Sequence, residues 1–356
     1  MKTVAVTTYC EYTSYGSILQ ALGLKKSLKD IGFESFIIKD TPAPPVCLPK
    51  SKILTKNVKR LLVNVLNLRI KNRRQNHYDK NLKFIHDNID IVYYNDYQLL
   101  VKNPPKVDYY LTGSDQIWHP ALCKPAFFLG FVPNGQKRLS YAASMGVTEI
   151  PSKNKEKFVD LIGKIDAFSV REANVKDVLK EYITKDIEVH IDPTFLRAAE
   201  EWRTYEKPYP LKKPYILLYT IYWDKRFDRE LKRLKKQCKY DIVAICSSIN
   251  RVFADKKIYD AGPDQFLWLI DHAEAVITSS FHGVAFSIIF NKKLAAVINP
   301  KAPSRIENVL KTLHVQNASI GDVLDFDIEQ YTSVNQRIEQ EKQRSFEYLK
   351  QVLSNE

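Results

Sequence analysis

The stretch Ala275-Val-Ile-Thr-Ser-Ser-Phe-His-Gly-Val-Ala-Phe-Ser-Ile-Ile-Phe290 is an apolar strand that becomes a helix through a Ser-Ser-Phe-His-Gly turn. Such a junction is the repeating unit of a parallel, doubly wound sheet. It also gathers chemistry. The first N–H groups of a helix have no partner inside it, and the macrodipole leaves about half a positive charge there. An anion sits naturally at that point. His282 falls in the first turn, Ser279 and Ser280 stand at cap-like positions, and Gly283 allows a ligand to approach the backbone. Taken alone, an ordinary βα connection with a polar histidine accounts for the turn equally well.

Outward from this junction the alternation continues. In the C-terminal half the sequence predicts strands at Tyr215–Tyr219, Ile242–Ile245, Ala275–Thr278 and Ala295–Ile298. Helices at Arg226–Gln237, Asp264–His272 and Val284–Phe290 separate them. In the N-terminal half, strands are expected at Val4–Thr8, Phe36–Ile38, Tyr109–Thr112, Arg138–Ala142, Ala167–Val170 and Glu188–Ile191, with helices at Ser17–Asp30 and Asn174–Tyr182. The Pro-punctuated run 204–214 reads as a linker. These features predict an α/β chain of two Rossmann-like, doubly wound domains facing a cleft: residues 1–203, then 215–325, with a C-terminal helix in 326–356.

Composition narrows the class. A chain of 356 residues is too long for one ordinary core. No apolar run is long enough to span a bilayer, and the N-terminus lacks the pattern of a signal peptide, so a cytoplasmic location is expected. The five cysteines (Cys10, Cys47, Cys123, Cys238 and Cys246) form no C-x-x-C pair, which argues against zinc and iron–sulfur sites; no metal is expected. The net charge of +13 is local. Between Thr41 and Tyr78 there is no Asp or Glu, whereas Lys50, Lys52, Lys56, Lys59, Arg60, Arg69, Lys71, Arg73 and Arg74 all lie there. Ile53, Leu54, Val58, Leu61, Leu62, Val65 and Leu66 recur among them at helical spacing. Segment 50–74 therefore reads either as a cationic amphipathic helix at an anionic membrane surface or as a core helix with basic flanks. Without interleaved aromatics or a reading motif, a nucleic-acid partner is not expected.

Four loops follow strands and carry polar groups that packing does not require: Tyr9–Ser17, Thr112–Trp118, Ser169–Glu172 and the His282 turn. A doubly wound sheet gathers all four on one edge. With these motifs the chain resembles the polysaccharide pyruvyl transferases. The resemblance runs nearly end to end, through Tyr15-Gly-Ser-Ile-Leu-Gln20, Thr112-Gly-Ser-Asp-Gln-Ile-Trp118, Ser140-Tyr-Ala-Ala-Ser-Met-Gly146, Phe168-Ser-Val-Arg-Glu172, Ile191-Asp-Pro-Thr194, Gly262-Pro-Asp-Gln-Phe-Leu-Trp-Leu-Ile270 and Thr278-Ser-Ser-Phe-His-Gly283. It implies a GT-B-like fold and transfer of a pyruvyl group from phosphoenolpyruvate to a sugar as a ketal, with no further cofactor. It also implies that Arg171 and His282 serve donor binding and catalysis. Some members carry an arginine shortly before that histidine. Here Ser280 and Phe281 stand there, and Arg305 is the nearest candidate to replace it.

Phosphoenolpyruvate carries a carboxylate and a phosphate, so its site calls for a guanidinium fork and backbone N–H donors. Arg171, Ser279, Ser280, Gly283 and Arg305 are the expected donor-binding residues, and His282 the general acid or phosphate partner. Asp115 is the candidate base for the sugar hydroxyl, with Tyr15, Gly16, Ser114, Gln116 and Trp118 on the acceptor side. A polyprenyl-diphosphate-linked sugar in surface polysaccharide assembly, met at the inner face of the membrane, is the acceptor the resemblance implies. Two competing functions remain open at this level. One is a GT-B glycosyltransferase using a nucleotide sugar, with Asp264 or Glu274 on the ribose. The other is a non-catalytic sugar-binding protein on the same scaffold.

Overall fold

The computed structural model describes residues 1–45, 59–222, 224–246, 252–300 and 304–354. In chain order its first half comprises β1 (Lys2–Thr7), α1 (Tyr15–Asp30), β2 (Phe33–Lys39), α2 (Lys59–Asn88), β3 (Ile91–Tyr93), α3 (Tyr97–Lys102), β4 (Tyr109–Thr112), β5 (Arg138–Ser140), α4 (Ser152–Ile162), β6 (Phe168–Val170), α5 (Ala173–Leu179), β7 (Ile187–Val189) and α6 (Ala199–Arg203). The second half follows as β8 (Tyr215–Tyr219), α7 (Lys225–Gln237), β9 (Asp241–Ile245), β10 (Lys256–Ile258), α8 (Pro263–Asp271), β11 (Ala275–Thr278), α9 (Phe281–Ile289), β12 (Lys293–Ala296), α10 (Ser304–Leu313) and α11 (Tyr331–Ser354).

Both sheets are parallel and wound outward from a central strand, in the orders β3-β2-β1-β4-β5 and β10-β9-β8-β11-β12. Isolated bridges from Leu139 to Ala167 and from Ala143 to Val170 carry the first sheet on to the parallel pair β6–β7. The central strands are buried on both faces, as Val4, Ala5 and Val6 and then Ile216, Leu217 and Leu218 show. A continuous apolar run in a parallel sheet requires helices on each side, and these residues have them. In each sheet the winding reverses beside the first strand, between β1 and β4 and between β8 and β11. Crevices open beyond the strand ends at such points.

The halves share one core. Leu22, Phe195, Trp202, Phe266, Phe286 and Leu349 belong to a single buried cluster. Trp202 meets the Phe286 ring edge-on at 5.1 Å, and its indole N–H donates to the Thr194 carbonyl at 3.0 Å. Helix α11 ties the halves from outside: the Tyr331 hydroxyl donates to Lys292 O at 2.7 Å in the second half, the Tyr348 hydroxyl to Ser140 O at 2.9 Å in the first.

Several elements differ from expectation. Helix α9 begins at Phe281 rather than Val284, because the Ser280 hydroxyl caps it, so His282 is already helical. The last strand is Lys293–Ala296, two residues early. Helix α2 runs on to Asn88, past the expected helical segment 50–74, and helices α4 and α10 and the short strands β3 and β10 had no clear signal. The basic segment 50–74 lies mostly outside the described residues: 46–58 are not described, and only the backbone of 59–71 is, as the start of α2. No helix among the described residues is long and apolar enough to cross a membrane.

Because Phe286 is fully buried and touches rings from both halves, Phe286→Ala is expected to cost about 3–5 kcal/mol. Denaturant unfolding should show one transition moving to lower midpoint for both halves together.

Candidate active site

The site grows from the ends of β4, β6 and β11 and the segment after β7. Thr278 closes β11 by donating to the Tyr219 carbonyl at 2.5 Å and accepting the Ser280 N–H at 3.1 Å. Ser280 Oγ then caps α9 by accepting the Gly283 N–H at 3.4 Å. His282, 6% exposed, lies in the first helical turn. The first turn of α1 packs against it: a Cβ on Gly16 would stand 2.0 Å from His282 Nδ1. On its other side, His282 Nε2 lies 3.8 Å from Asp192 Oδ2 and has no hydrogen-bond partner among the described residues. Burial holds the imidazole below its ordinary pKa, opposed by the charges of Asp192 and Asp115.

Arg171 follows β6 as expected, but it is not an open fork. Its Nε donates to Glu172 Oε1 at 3.0 Å and its Nη1 to Asp192 Oδ2 at 2.6 Å, while the guanidinium lies 4.1 Å over the Phe281 ring. Its Nη2 has no hydrogen-bond partner among the described residues. Burial works against its charge, and Glu172 and Asp192 more than offset that, so the group is held cationic. Arg171 and His282 thus meet over a carboxylate, not across a gap.

Other expected site residues are spent on structure. Ser279 Oγ accepts the N–H groups of Ile221 and Tyr222 at 3.0 and 2.9 Å and donates to Tyr222 O at 3.0 Å, pinning the loop after β8. Gly283 admits Thr278, whose Oγ1 would be 2.2 Å from a Cβ there, and not a ligand. Trp118 is fully buried with its N–H on Phe127 O, so it is a core residue and cannot touch an acceptor. Ser114 is fully buried too, donating to Ala142 O at 2.6 Å and Asp192 Oδ2 at 3.3 Å. Tyr15 is a strut between the halves: its ring stacks on Phe266 and its hydroxyl donates to Ala261 O at 3.0 Å. Asp264 pairs with Lys207 at 2.9 Å and caps the Gln265 N–H.

What stays open is a pocket of about 500 Å³ lined by Tyr9, Glu11, Ser14, Asp115, Gln116 and His119. Asp115, half-buried with a left-handed φ of 67°, turns the chain there after β4. The Nε of Arg305, at the start of α10, is buried without a partner among the described residues. Its charge acts on His282, Arg171 and His119. A second pocket, of about 760 Å³, is lined by Tyr15, Arg74, His77, Tyr78, Tyr219 and Tyr259. The two flank the start of α1, Ser14 and Ser17 facing one and Thr13 and Tyr15 the other.

Two contributors escaped the sequence, Asp192 and His119, whereas pairing of Arg171 with the adjacent Glu172 was legible from it. Asp192 stands in the quoted Ile191-Asp-Pro-Thr194 motif, where an acid between a strand and a proline was the available signal.

Two facing doubly wound sheets of this kind define the GT-B class. AviGT4, a glycosyltransferase involved in avilamycin A biosynthesis, superposes with a TM-score of 0.53 at 12% identity, covering 100% of this chain and 99% of that one. An MnaA–UDP structure from S. aureus gives 0.51 at 12% identity, covering 99% and 97%. UGT89C1 of Arabidopsis thaliana, complexed with UDP-L-rhamnose, gives 0.50 at 10%, covering 99% and 98%. Within that class the chain belongs to the polysaccharide pyruvyl transferase family, whose model matches residues 15–300. No curated protein matches it.

Gly16→Ala should push the imidazole of His282 aside, since the new methyl group would overlap Nδ1. Overpacking of this kind costs about 1–3 kcal/mol, and turnover should fall more than stability, as paired kinetics and thermal unfolding would show. His190, 1% exposed between the Tyr141 and Tyr348 rings, is held down to about 4 by burial. The unfolded chain takes up a proton near pH 6.5 that the native state resists, so stability is lost as pH falls from there towards 4. The loss from this group is about 3 kcal/mol, and denaturation at stepped pH should show a shallower decline in His190→Gln.

Proposed function

We propose that this transferase moves the pyruvyl group of phosphoenolpyruvate onto two hydroxyls of a sugar, forming a ketal and releasing inorganic phosphate. The reading rests on one observation: a buried imidazole at the N-terminus of α9 whose Nε2 has no hydrogen-bond partner among the described residues, beside Asp192, Asp115 and Arg305. A multiply anionic donor supplies the charge that such a helix end and Arg305 lack. Its arrival favours the imidazolium, which then delivers a proton to the methylene carbon. Asp115, on the wall of the smaller pocket, accepts the proton of the first sugar hydroxyl as that oxygen bonds to C2. The second hydroxyl then displaces phosphate from C2, and its proton leaves with the phosphate. Gln116 borders the same space. The tyrosine-lined pocket across the start of α1 suits the acceptor's sugar rings, with Arg74 beside them for an anionic substituent.

The acceptor we propose is carried on a polyprenyl diphosphate, and the enzyme works at the inner face of the membrane in surface polysaccharide assembly. The acid-free run 50–74 supports this. So do the exposed Val92, Tyr93, Leu99 and Val101 on β3 and α3, apolar groups that a lipid surface would cover.

His282→Ala should lower phosphate release from phosphoenolpyruvate by ~100-fold or more while the melting temperature holds. Phosphoenolpyruvate labelled in its carbon chain, incubated with the enzyme and a lipid extract, should transfer label to a glycolipid. If no label transfers, no phosphate is released, and a nucleotide sugar stabilises the protein where phosphoenolpyruvate does not, the glycosyltransferase alternative replaces this reading.

A further inference from the structure

We propose that Asp192 is the positioning residue for the His282 imidazole and that Arg171 fixes Asp192. Asp192 is fully buried and accepts hydrogen bonds at both carboxylate oxygens. Its Oδ1 takes the Thr194 N–H at 3.0 Å and the Thr194 hydroxyl at 2.9 Å. Its Oδ2 takes Arg171 Nη1 at 2.6 Å and the Ser114 hydroxyl at 3.3 Å. Arg171 is anchored in turn by Glu172, whose Oε1 also accepts the Ser144 hydroxyl at 2.6 Å. The carboxylate therefore has one orientation, set before any ligand binds, and that orientation points Oδ2 at His282 Nε2 across 3.8 Å.

The gap has a purpose. At 3.8 Å the neutral imidazole is not bonded, so burial keeps it uncharged in the free protein. Once protonated, the same nitrogen finds a fixed negative charge beside it, and Gly16 walls the opposite side at Nδ1. All charged groups that face the ring among the described residues come from its neighbours. They are Asp115 after β4, Arg171 and Glu172 after β6, Asp192 after β7, and Arg305 on α10; α1 contributes the uncharged Tyr15 and Gly16. Arg171, Glu172 and Asp192 together carry one net negative charge. Loss of Arg171 would strand Asp192 as an unpaired buried anion, so an Arg171 variant loses the imidazole's partner even if Arg171 never touches substrate.

The kinetic part rests on the pyruvyl-transfer reading, whereas the titration part does not. The His282 imidazole is titrated by NMR in the full chain, its signal assigned from His282→Gln. Asp192→Asn keeps the shape and removes the charge, and its titration midpoint is expected to move down by about one pH unit or more. A midpoint unchanged in a variant with native near-UV circular dichroism overturns the proposal. Should that variant not fold, the charge-neutral pair Arg171→Gln with Asp192→Asn takes its place with the same expectation, because the nearer carboxylate outweighs the guanidinium. With phosphoenolpyruvate as substrate, the pair should lose about as much kcat as Asp192→Asn alone. A further tenfold loss of kcat on adding Arg171→Gln would show that Arg171 acts other than through Asp192 and overturn its assigned role. A shifted midpoint in a protein that never turns over phosphoenolpyruvate would leave the positioning role standing and refute only the pyruvyl-transfer reading.

Discussion

A guanidinium taken out of water needs counter-charge on every side it presents, and Arg171 obtains it from Glu172 and Asp192. The surrounding polar order follows from that need. Asp192 must face the end of β6, so the segment after β7 turns inward there, and the Thr194 N–H and hydroxyl close the turn on its second oxygen. Ser114 and Ser144 spend their hydroxyls on the same two acids. The Phe281 ring covers the cation and begins α9, which places His282 one residue further along the helix. The geometry around the imidazole is thus inherited from a buried ion pair.

The second constraint is the close approach of α1 and α9. Gly16 has no side chain, and that absence is what lets the two first turns meet with an imidazole between them. Tyr15, one residue earlier, stacks on Phe266 and reaches Ala261, so the same turn that clears space for His282 also fastens the halves. Pockets open on either flank of this junction, one with Asp115 and His119, the other walled by tyrosines with Arg74, and a third lies beside Arg171, Asp192 and Arg305. A reaction that joins a small anion to a sugar needs two such approaches to one centre.

The doubly wound pattern was legible because a strand buried on both faces must be apolar throughout, and a helix beside it must show a periodic face. Long runs such as Ala275–Phe290 carry both signals. The part of α2 beyond residue 74 was not, and β3 and β10, three residues each, are too short to have a period. At the site, residue type singled out His282, Arg171, Asp115 and Arg305, and the structure gathers these four. Ser279, Gly283 and Trp118 were read as ligand-facing because a hydroxyl, a glycine and an indole at a strand end look alike whether they meet substrate or backbone.

The sequence alone determined the winding of the sheets, which loops share an edge, and which ionisable side chains that edge holds, since each depends on periodicity and order along the chain. Only the tertiary structure decided who pairs with whom. The bond from Arg171 to Asp192 spans 21 residues, and the contact of Gly16 with His282 joins the two halves. The first is fixed by packing within the first half and the second by the packing of one half on the other, and a buried charge takes whichever partner that packing brings within reach.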